Sequence, residues 1–127
     1  MQTISTVKAL RNAVKTAKQA GKKISFVPTM GNLHEGHLQL VRRAKVVSDF
    51  VVVSIYVNPL QFGEGEDLDN YPRTLSADKQ KLFAEGADLL FTPSTEEMYP
   101  NMNTAPPTVV SVPKISETLC GQNRPGH

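Results

Sequence analysis

Apolar and polar residues follow two different periods along the first three quarters of the chain. Between residues 6 and 20, apolar side chains recur every three or four positions with lysines opposite them, which predicts an amphipathic helix that Gly21 ends. Residues 50–57 form an unbroken apolar run instead, FVVVSIYV, which is typical of a strand buried on both faces of a parallel sheet. The same patterns predict further strands at 23–29 and 88–92, and further helices at 32–48 and 75–85.

The order of these elements predicts the fold class. Helix and strand alternate three times, which favours an α/β fold with right-handed crossovers: a Rossmann-like parallel sheet with flanking helices. After residue 92 the chain becomes rich in proline, and only residues 108–112 have the pattern of a strand. We therefore expect residues 1–127 to be one Rossmann-like, nucleotide-binding domain.

The strand at 23–29 is the first in this order, and the first strand of a doubly wound sheet usually lies in its centre. Three parallel strands supply only one half of such a sheet, so one edge of this strand would stay unpaired. We expect the chain to be the N-terminal part of a longer protein whose C-terminal domain is absent, or a partner chain to cover that edge. A strand flanked on both sides within the chain would refute this expectation.

Composition excludes several classes of protein. The 127 residues are 39% hydrophobic with a formal net charge of +2, unlike a disordered acidic or basic tail. The sequence has no apolar run long enough to span a membrane, no apolar signal core, and one cysteine, Cys120, so we expect a cytoplasmic protein without membrane contact. Basic residues dominate the first 45 positions, but only one aromatic residue, Phe26, lies among them, so we expect no nucleic-acid partner.

The segment PTMGNLHEGH, residues 28–37, joins the first predicted strand to the second helix. Ligands of α/β sheets bind at the carboxyl ends of the strands, where this segment lies. Asn32 is the predicted N-cap, Glu35 completes a variant capping box, and Gly31 lets the backbone approach a ligand closely. His34 and His37 share one face of the first helical turn beside its free N–H groups, an arrangement that attracts phosphate.

Two other interpretations of the histidine pair remain open from the residues alone. The pair could hold zinc, but its spacing differs from HExxH and only Cys120 and His127 remain as further ligands, so we expect no metal site. The two residues could also be ordinary capping histidines. The sequence has neither a lysine-bearing phosphate loop nor GxGxxG, so any phosphate chemistry depends on His34 and His37.

Four segments in order resemble the pantoate–β-alanine ligase family: PTMGNLHEGH, VVSIYVNPLQFG, DNYPRTLSAD and GQNRPGH. The HxGH element also resembles the signature of the nucleotidylyltransferase superfamily, which includes class I aminoacyl-tRNA synthetases. The resemblance implies an enzyme that condenses pantoate with β-alanine at the expense of ATP, through a pantoyl adenylate, in coenzyme A biosynthesis. Another HxGH nucleotidyltransferase, or a nucleotide- or RNA-binding module, is the alternative. VNPLQFG argues against the first of these, since a nucleotidyltransferase has no use for a carboxylate and diol pocket.

The resemblance also implies roles for individual residues. His37 would be the proton donor and phosphate stabiliser, with His34 as its neighbour on the nucleotide. Pantoate and β-alanine would contact Gln61, Asn58 and Arg124. The ATP site would be lined by Met30, Gly31, Asn32, Leu33, His34, Glu35, Gly36 and His37.

The resemblance further implies ATP as a substrate, Mg²⁺ bound with the ATP but without an assignable protein ligand, and a homodimer. Later blocks of the family that complete the ATP and pantoate sites are missing from the sequence. We therefore expect the polypeptide alone to have little or no ligase activity.

Overall fold

The computed structural model describes residues 1–59 and 74–100. These residues form one parallel four-stranded sheet with the strand order β1-β4-β3-β2. The α/β class with a parallel sheet and flanking helices is confirmed. The elements in chain order are β1 (Gln2–Ile4), α1 (Val7–Gln19), β2 (Ile24–Thr29), α2 (Glu35–Val47), β3 (Phe50–Ile55), α3 (Leu75–Glu85), β4 (Leu89–Phe91) and α4 (Thr95–Met98).

Most element boundaries agree with the sequence-based prediction within two residues, and α3 agrees at both ends. Two short elements, β1 and α4, were not predicted. Strand β1 has only three residues, two of them exposed, so it carries no apolar period; its backbone pairs with β4 from Gln2 opposite Leu89. The predicted strand at 108–112 lies outside the described residues.

The core lies on both sides of β3, as its unbroken apolar run predicts. Val51, Val52 and Val53 are all almost completely buried. Val51 and Val53 belong to one cluster with residues of α2 and α3, among them Val41 and Leu82. Side chains alternate across a strand, so Val52 faces the opposite side, where it lies in a groove with residues of α1. Helices therefore cover both faces of the sheet.

Strand β2, the first of the predicted strands, pairs with β3 from Ile24 opposite Phe50 to Thr29 opposite Ile55. Within residues 1–59 and 74–100 it has no second neighbour, and β1 lies at the far edge of the sheet beside β4. Phe26 of β2 is 55% exposed. A β2 strand flanked on both sides would refute the expected unpaired edge. No such arrangement is found in this part of the chain.

Helices α2 and α3 are joined by an ion pair as well as by apolar contacts. The guanidinium of Arg42 on α2 bonds to Glu35 at the start of its own helix and to Glu85 at the end of α3, with Nη2 2.6 Å from Oε1 of Glu85. The hydrogen bond from Arg42 lowers the pKa of the Glu85 carboxyl below its ordinary value. Both partners reach solvent, so this pair contributes little to stability.

We predict that Leu82→Ala destabilises the fold strongly and that Phe83→Ala does not. Leu82 is fully buried between α3 and the sheet, whereas its neighbour Phe83 is 69% exposed. Truncating a buried leucine costs about 2–5 kcal/mol, because transfer energy is lost and a cavity remains. Phe83→Ala should stay within about 0.5 kcal/mol. Urea unfolding followed by circular dichroism measures both, and equal losses would contradict this account of the core.

Candidate active site

The turn between β2 and α2 gives the histidine pair its position. Gly31 and Asn32 both have left-handed backbone angles, with φ of 82° and 50°. The hydroxyl of Thr29 accepts the Gly31 N–H at 3.1 Å and donates to the Ser54 carbonyl at 2.9 Å, which fixes the turn to β3. A Cβ atom on Gly31 would lie 3.1 Å from Ile55 and 3.2 Å from a carboxylate oxygen of Asp78. Glycine at this position allows both the turn and the close packing.

The predicted N-cap at Asn32 is wrong: helix α2 begins at Glu35 and His34 is its N-cap. Asn32 is still inside the left-handed turn, and its N–H donates to Asp78. An N-cap residue has extended backbone angles, which His34 adopts with φ −125° and ψ −178°. The capping box therefore consists of His34 and His37 rather than Asn32 and Glu35.

Each histidine ring accepts a hydrogen bond from a backbone N–H group of residues 34–36. Nδ1 of His37 accepts the N–H of His34 at 3.1 Å, and Nδ1 of His34 accepts the N–H of Gly36 at 3.0 Å. The ring centroids are 4.1 Å apart. A neutral imidazole that accepts a hydrogen bond at Nδ1 carries its proton at Nε2. In its neutral form each ring is therefore an Nε2–H donor, and within the described residues neither Nε2 atom has a hydrogen-bond partner.

This geometry modifies the expected anion site. The sequence suggested that the N–H groups of the helix N-terminus would be free for an anion, but the N–H of Gly36 is already bonded to His34. The histidines are thus both capping residues and exposed donors. An anion at this end of the helix would meet Nε2–H groups, with the positive end of the helix dipole behind them.

The pKa of His37 is lowered from its ordinary value of 6.5. Partial burial is the main cause and the neighbouring His34 adds to it, while the negative charge of Asp78 opposes both. His37 is therefore a neutral imidazole near pH 7, the form that can keep its Nδ1 bond to the backbone and donate from Nε2.

A cavity of about 500 Å³ opens at the carboxyl edge of the sheet. It brings together three residues that the sequence analysis assigned to binding or catalysis: Met30, His37 and Asn58. Tyr56 and Met98, which sequence reasoning missed, also line it. A second cavity of about 400 Å³ lies next to it and shares Met30 and Tyr56 with the first.

The other predicted site residues are placed differently. The Leu33 side chain is 3% exposed and packs in the core, so only its backbone faces the turn. Glu35 is exposed and pairs with Arg42. Gly36 lies on the first turn of α2, against the ring of His34. Gln61 and Arg124 lie outside the described residues.

Two residues of α3 contact the turn and were not identified from the sequence. Asp78, which is 1% exposed, accepts the N–H groups of Asn32 and Leu33 at 2.9 Å each. Lys81 donates from Nζ to the Leu33 carbonyl at 2.8 Å. An aspartate and a lysine three positions apart on a helix have the pattern of a solvated helix face. No local signal indicates contacts with residues 45 to 48 positions away.

In the part of the chain that the structure describes, no three His, Cys, Asp or Glu side chains come close enough together to hold a metal ion. Nor does any helix there have the length and apolar character needed to cross a membrane.

Comparison with known proteins shows the family of the chain. A family model described as pantoate-beta-alanine ligase matches residues 2–127. The chain belongs to the pantoate–β-alanine ligase family. Over all 127 residues it is 62% identical to the pantothenate synthetase of Pseudomonas fluorescens SBW25 and 59% identical to that of Pseudomonas aeruginosa UCBPP-PA14. The chain spans 44% of the length of these relatives.

Solved structures of the family have the same fold. Pantothenate synthetase from Thermus thermophilus superimposes with a TM-score of 0.85 at 49% identity, covering the whole of this chain and 44% of the other. Pantoate–β-alanine ligase from Francisella tularensis, solved in complex with beta-gamma ATP and beta-alanine, superimposes with a TM-score of 0.81 at 38% identity. The match covers the whole of this chain and 48% of the Francisella chain.

We predict that Gly36→Ala displaces the His34 ring while leaving stability nearly unchanged. A Cβ atom at this position would lie 2.8 Å from Cε1 of His34, closer than such contacts occur. Losing the cap bond costs about 1 kcal/mol, but alanine gains a similar amount over glycine in a helix. Nitrogen NMR shifts of the His34 ring should change, whereas Gln39→Ala, on an exposed position of α2, should leave them as they are. Unchanged His34 shifts in Gly36→Ala would contradict the ring geometry.

We also predict a pH dependence of stability that belongs to His37. Its pKa is lower in the folded chain than the ordinary 6.5, so the unfolded state binds more protons between the two values. The free energy of unfolding should therefore fall as the pH drops through 6.5 toward the folded pKa, and this contribution should be constant below it. His37→Gln keeps a capping side chain without titrating, so its difference from wild type should vary with pH in this window only. A constant difference would contradict the prediction.

Proposed function

We propose that this chain forms the nucleotide-binding part of an ATP-dependent ligase that joins pantoate to β-alanine through a pantoyl adenylate. The observation that carries the proposal is the histidine pair: two rings 4.1 Å apart, each bonded at Nδ1 to the backbone, beside a cavity at the carboxyl edge of the sheet. Membership of the pantoate–β-alanine ligase family supports the substrate assignment.

The chemistry requires an activated carboxylate. One oxygen of the pantoate carboxylate attacks the α-phosphorus of ATP, the bond from that phosphorus to the bridging oxygen breaks, and pyrophosphate leaves. The amine of β-alanine then attacks the acyl carbon, loses a proton and expels AMP. Negative charge grows on the phosphate oxygens in the first step, where Nε2–H donors stabilise it. One such preorganised donor is worth about 10²–10³ in rate.

In this proposal His37 donates a hydrogen bond from its Nε2–H group to the phosphates, and His34 contacts the nucleotide beside it. His37 lines the cavity, and its lowered pKa keeps it neutral, so that it can donate without breaking its bond to the helix cap. The ring of His34 is held against it by the same reciprocal cap.

In this proposal Met30 contacts ATP and Asn58 contacts pantoate and β-alanine; both residues line the same cavity as His37. An amide such as Asn58 can donate to the carboxylate or hydroxyl oxygens of pantoate and accept from a hydroxyl or amine. Gln61 and Arg124 are proposed for the same substrates on the family resemblance alone. The Francisella relative is described as complexed with beta-gamma ATP and beta-alanine, which correspond to two of the three ligands proposed here, ATP and β-alanine.

We expect Mg²⁺ to arrive with ATP, bound to its phosphates. Asp78 does not fit a metal ligand, because both of its oxygens already accept hydrogen bonds from the protein. A homodimer and a cytoplasmic location remain predictions from the resemblance and from composition.

We predict that His37→Ala and His34→Ala each lower pantothenate formation by about 10²–10³-fold. The test uses a chimaera in which this chain replaces the matching 44% of the P. fluorescens SBW25 enzyme. AMP release that depends on pantoate and β-alanine is the measurement, and Gln39→Ala is the control on an exposed position of α2.

The chain alone, which spans less than half of its relatives' length, should form little AMP. Near-normal turnover of the His37→Ala chimaera would contradict the proposed role of the pair. Salt-sensitive RNA binding by the chain that survives His37→Ala would instead support an RNA-binding module that uses the basic first half.

A further inference from the structure

Helix α3 holds the turn that presents the histidines, through contacts that the ligase chemistry itself does not require. We propose that Asp78 and Lys81 are positioning residues: together they fix the backbone of residues 31–33 and thereby set where the Nε2 atoms of His34 and His37 stand. This inference deepens the proposed function and rests on it only where turnover is the readout.

The Asp78 carboxylate uses both of its oxygens on this turn. Oδ1 accepts the Leu33 N–H at 2.9 Å, and Oδ2 accepts the Asn32 N–H at 2.9 Å and the Thr74 hydroxyl at 3.1 Å. Successive N–H groups of a left-handed turn converge on an anion, and here the anion is a side chain of the protein. No ion pair to Asp78 is formed within residues 1–59 and 74–100, so its charge is solvated by these three donors.

Lys81 completes the attachment from the next turn of α3. Its Nζ atom donates to the Leu33 carbonyl at 2.8 Å, so the N–H and the C=O of the same residue are both bonded to α3. The Leu33 side chain is buried in the core. His34, the helix cap, follows immediately, so any shift of Leu33 moves the ring that His37 packs against.

Asp78 also acts on the histidines through its charge. Among the described residues, the titratable groups that face His37 are His34 from its own segment, Asp78 from α3, and Tyr56, which follows β3 and lines the same cavity. Lys81 reaches the histidine turn only through its hydrogen bond to the Leu33 carbonyl. The negative charge of Asp78 raises the pKa of His37 against the lowering effects of burial and His34. Removing that charge should therefore lower the His37 pKa further.

Asp88 is the control for Asp78, because its carboxylate also bonds to the backbone but does not contact the histidine turn. Its carboxylate accepts the N–H of Val51 at 2.8 Å, a backbone bond of the same kind at the other end of the sheet. Asp88→Asn removes one carboxylate charge from a backbone contact without touching the histidine turn. Lys79→Met is the matched control for Lys81→Met, because Lys79 lies on the same helix and makes no bond to Leu33.

The first experiment follows the histidine rings of the 127-residue chain by NMR as a function of pH. Asp78→Asn should lower the pKa of His37 and reduce the Nε2–H tautomer of both rings, because the turn loses an acceptor and the site loses a charge. Asp88→Asn should change neither. Identical His37 titrations and tautomers in Asp78→Asn and wild type would overturn the proposal, and this readout does not depend on any catalytic activity.

The second experiment measures turnover in the chimaera with the P. fluorescens enzyme. Asp78→Asn should lower kcat by about 10²-fold, the loss expected when reacting groups are misplaced by about 1 Å. Asp88→Asn should retain wild-type kcat. An inactive wild-type chimaera would count against the proposed function, whereas an active one with equal kcat in Asp78→Asn and Asp88→Asn would overturn the positioning role.

If Asp78→Asn does not fold, Lys81→Met tests the positioning role instead. It leaves the carboxylate in place and removes only the bond to the Leu33 carbonyl, so it should shift the His34 and His37 ring signals and lower kcat, while Lys79→Met does neither. Equal behaviour of the two lysine variants would overturn the proposal.

Discussion

The hydrogen bonds from two consecutive N–H groups to one buried carboxylate hold the candidate site together. Asp78 lies on α3, but the N–H groups of Asn32 and Leu33 belong to the turn between β2 and α2. In the described part of the chain neither N–H group bonds to a backbone carbonyl, and buried donors without acceptors are costly. The carboxylate satisfies both, so the packing of α3 against α2 also determines the shape of the turn that carries the histidines.

The histidine pair shows how one side chain can serve structure and chemistry together. Each Nδ1 atom caps the start of α2, which removes the choice of tautomer and leaves Nε2 as the donor. The capping interpretation and the phosphate interpretation, which the sequence leaves as alternatives, are therefore compatible: capping orients the rings, and their outer nitrogens are available to a ligand. The absence of a side chain on Gly36 allows the His34 ring to approach the helix so closely.

The sheet places these groups where a ligand can reach them. All four strands are parallel, so the turns after β2 and β3 lie at the same edge, and this edge brings His37 and Asn58 to one cavity. Strand β2 is an edge strand in the described part of the chain, where it pairs only with β3. The chain spans 44% of the length of its Pseudomonas relatives.

Local patterns in the sequence determined most of the fold and the location of the site. The apolar run at β3, the helical periods and the glycine-containing turn depend on neighbouring residues, so period and turn chemistry suffice to predict them. The helix cap, β1 and the role of Asp78 could not be predicted in this way. Asn32, the predicted cap, is bonded instead to Asp78, a residue 46 positions away, and β1 exists because β4 pairs with it. Such contacts form only when distant segments pack together, so only the tertiary structure could decide them.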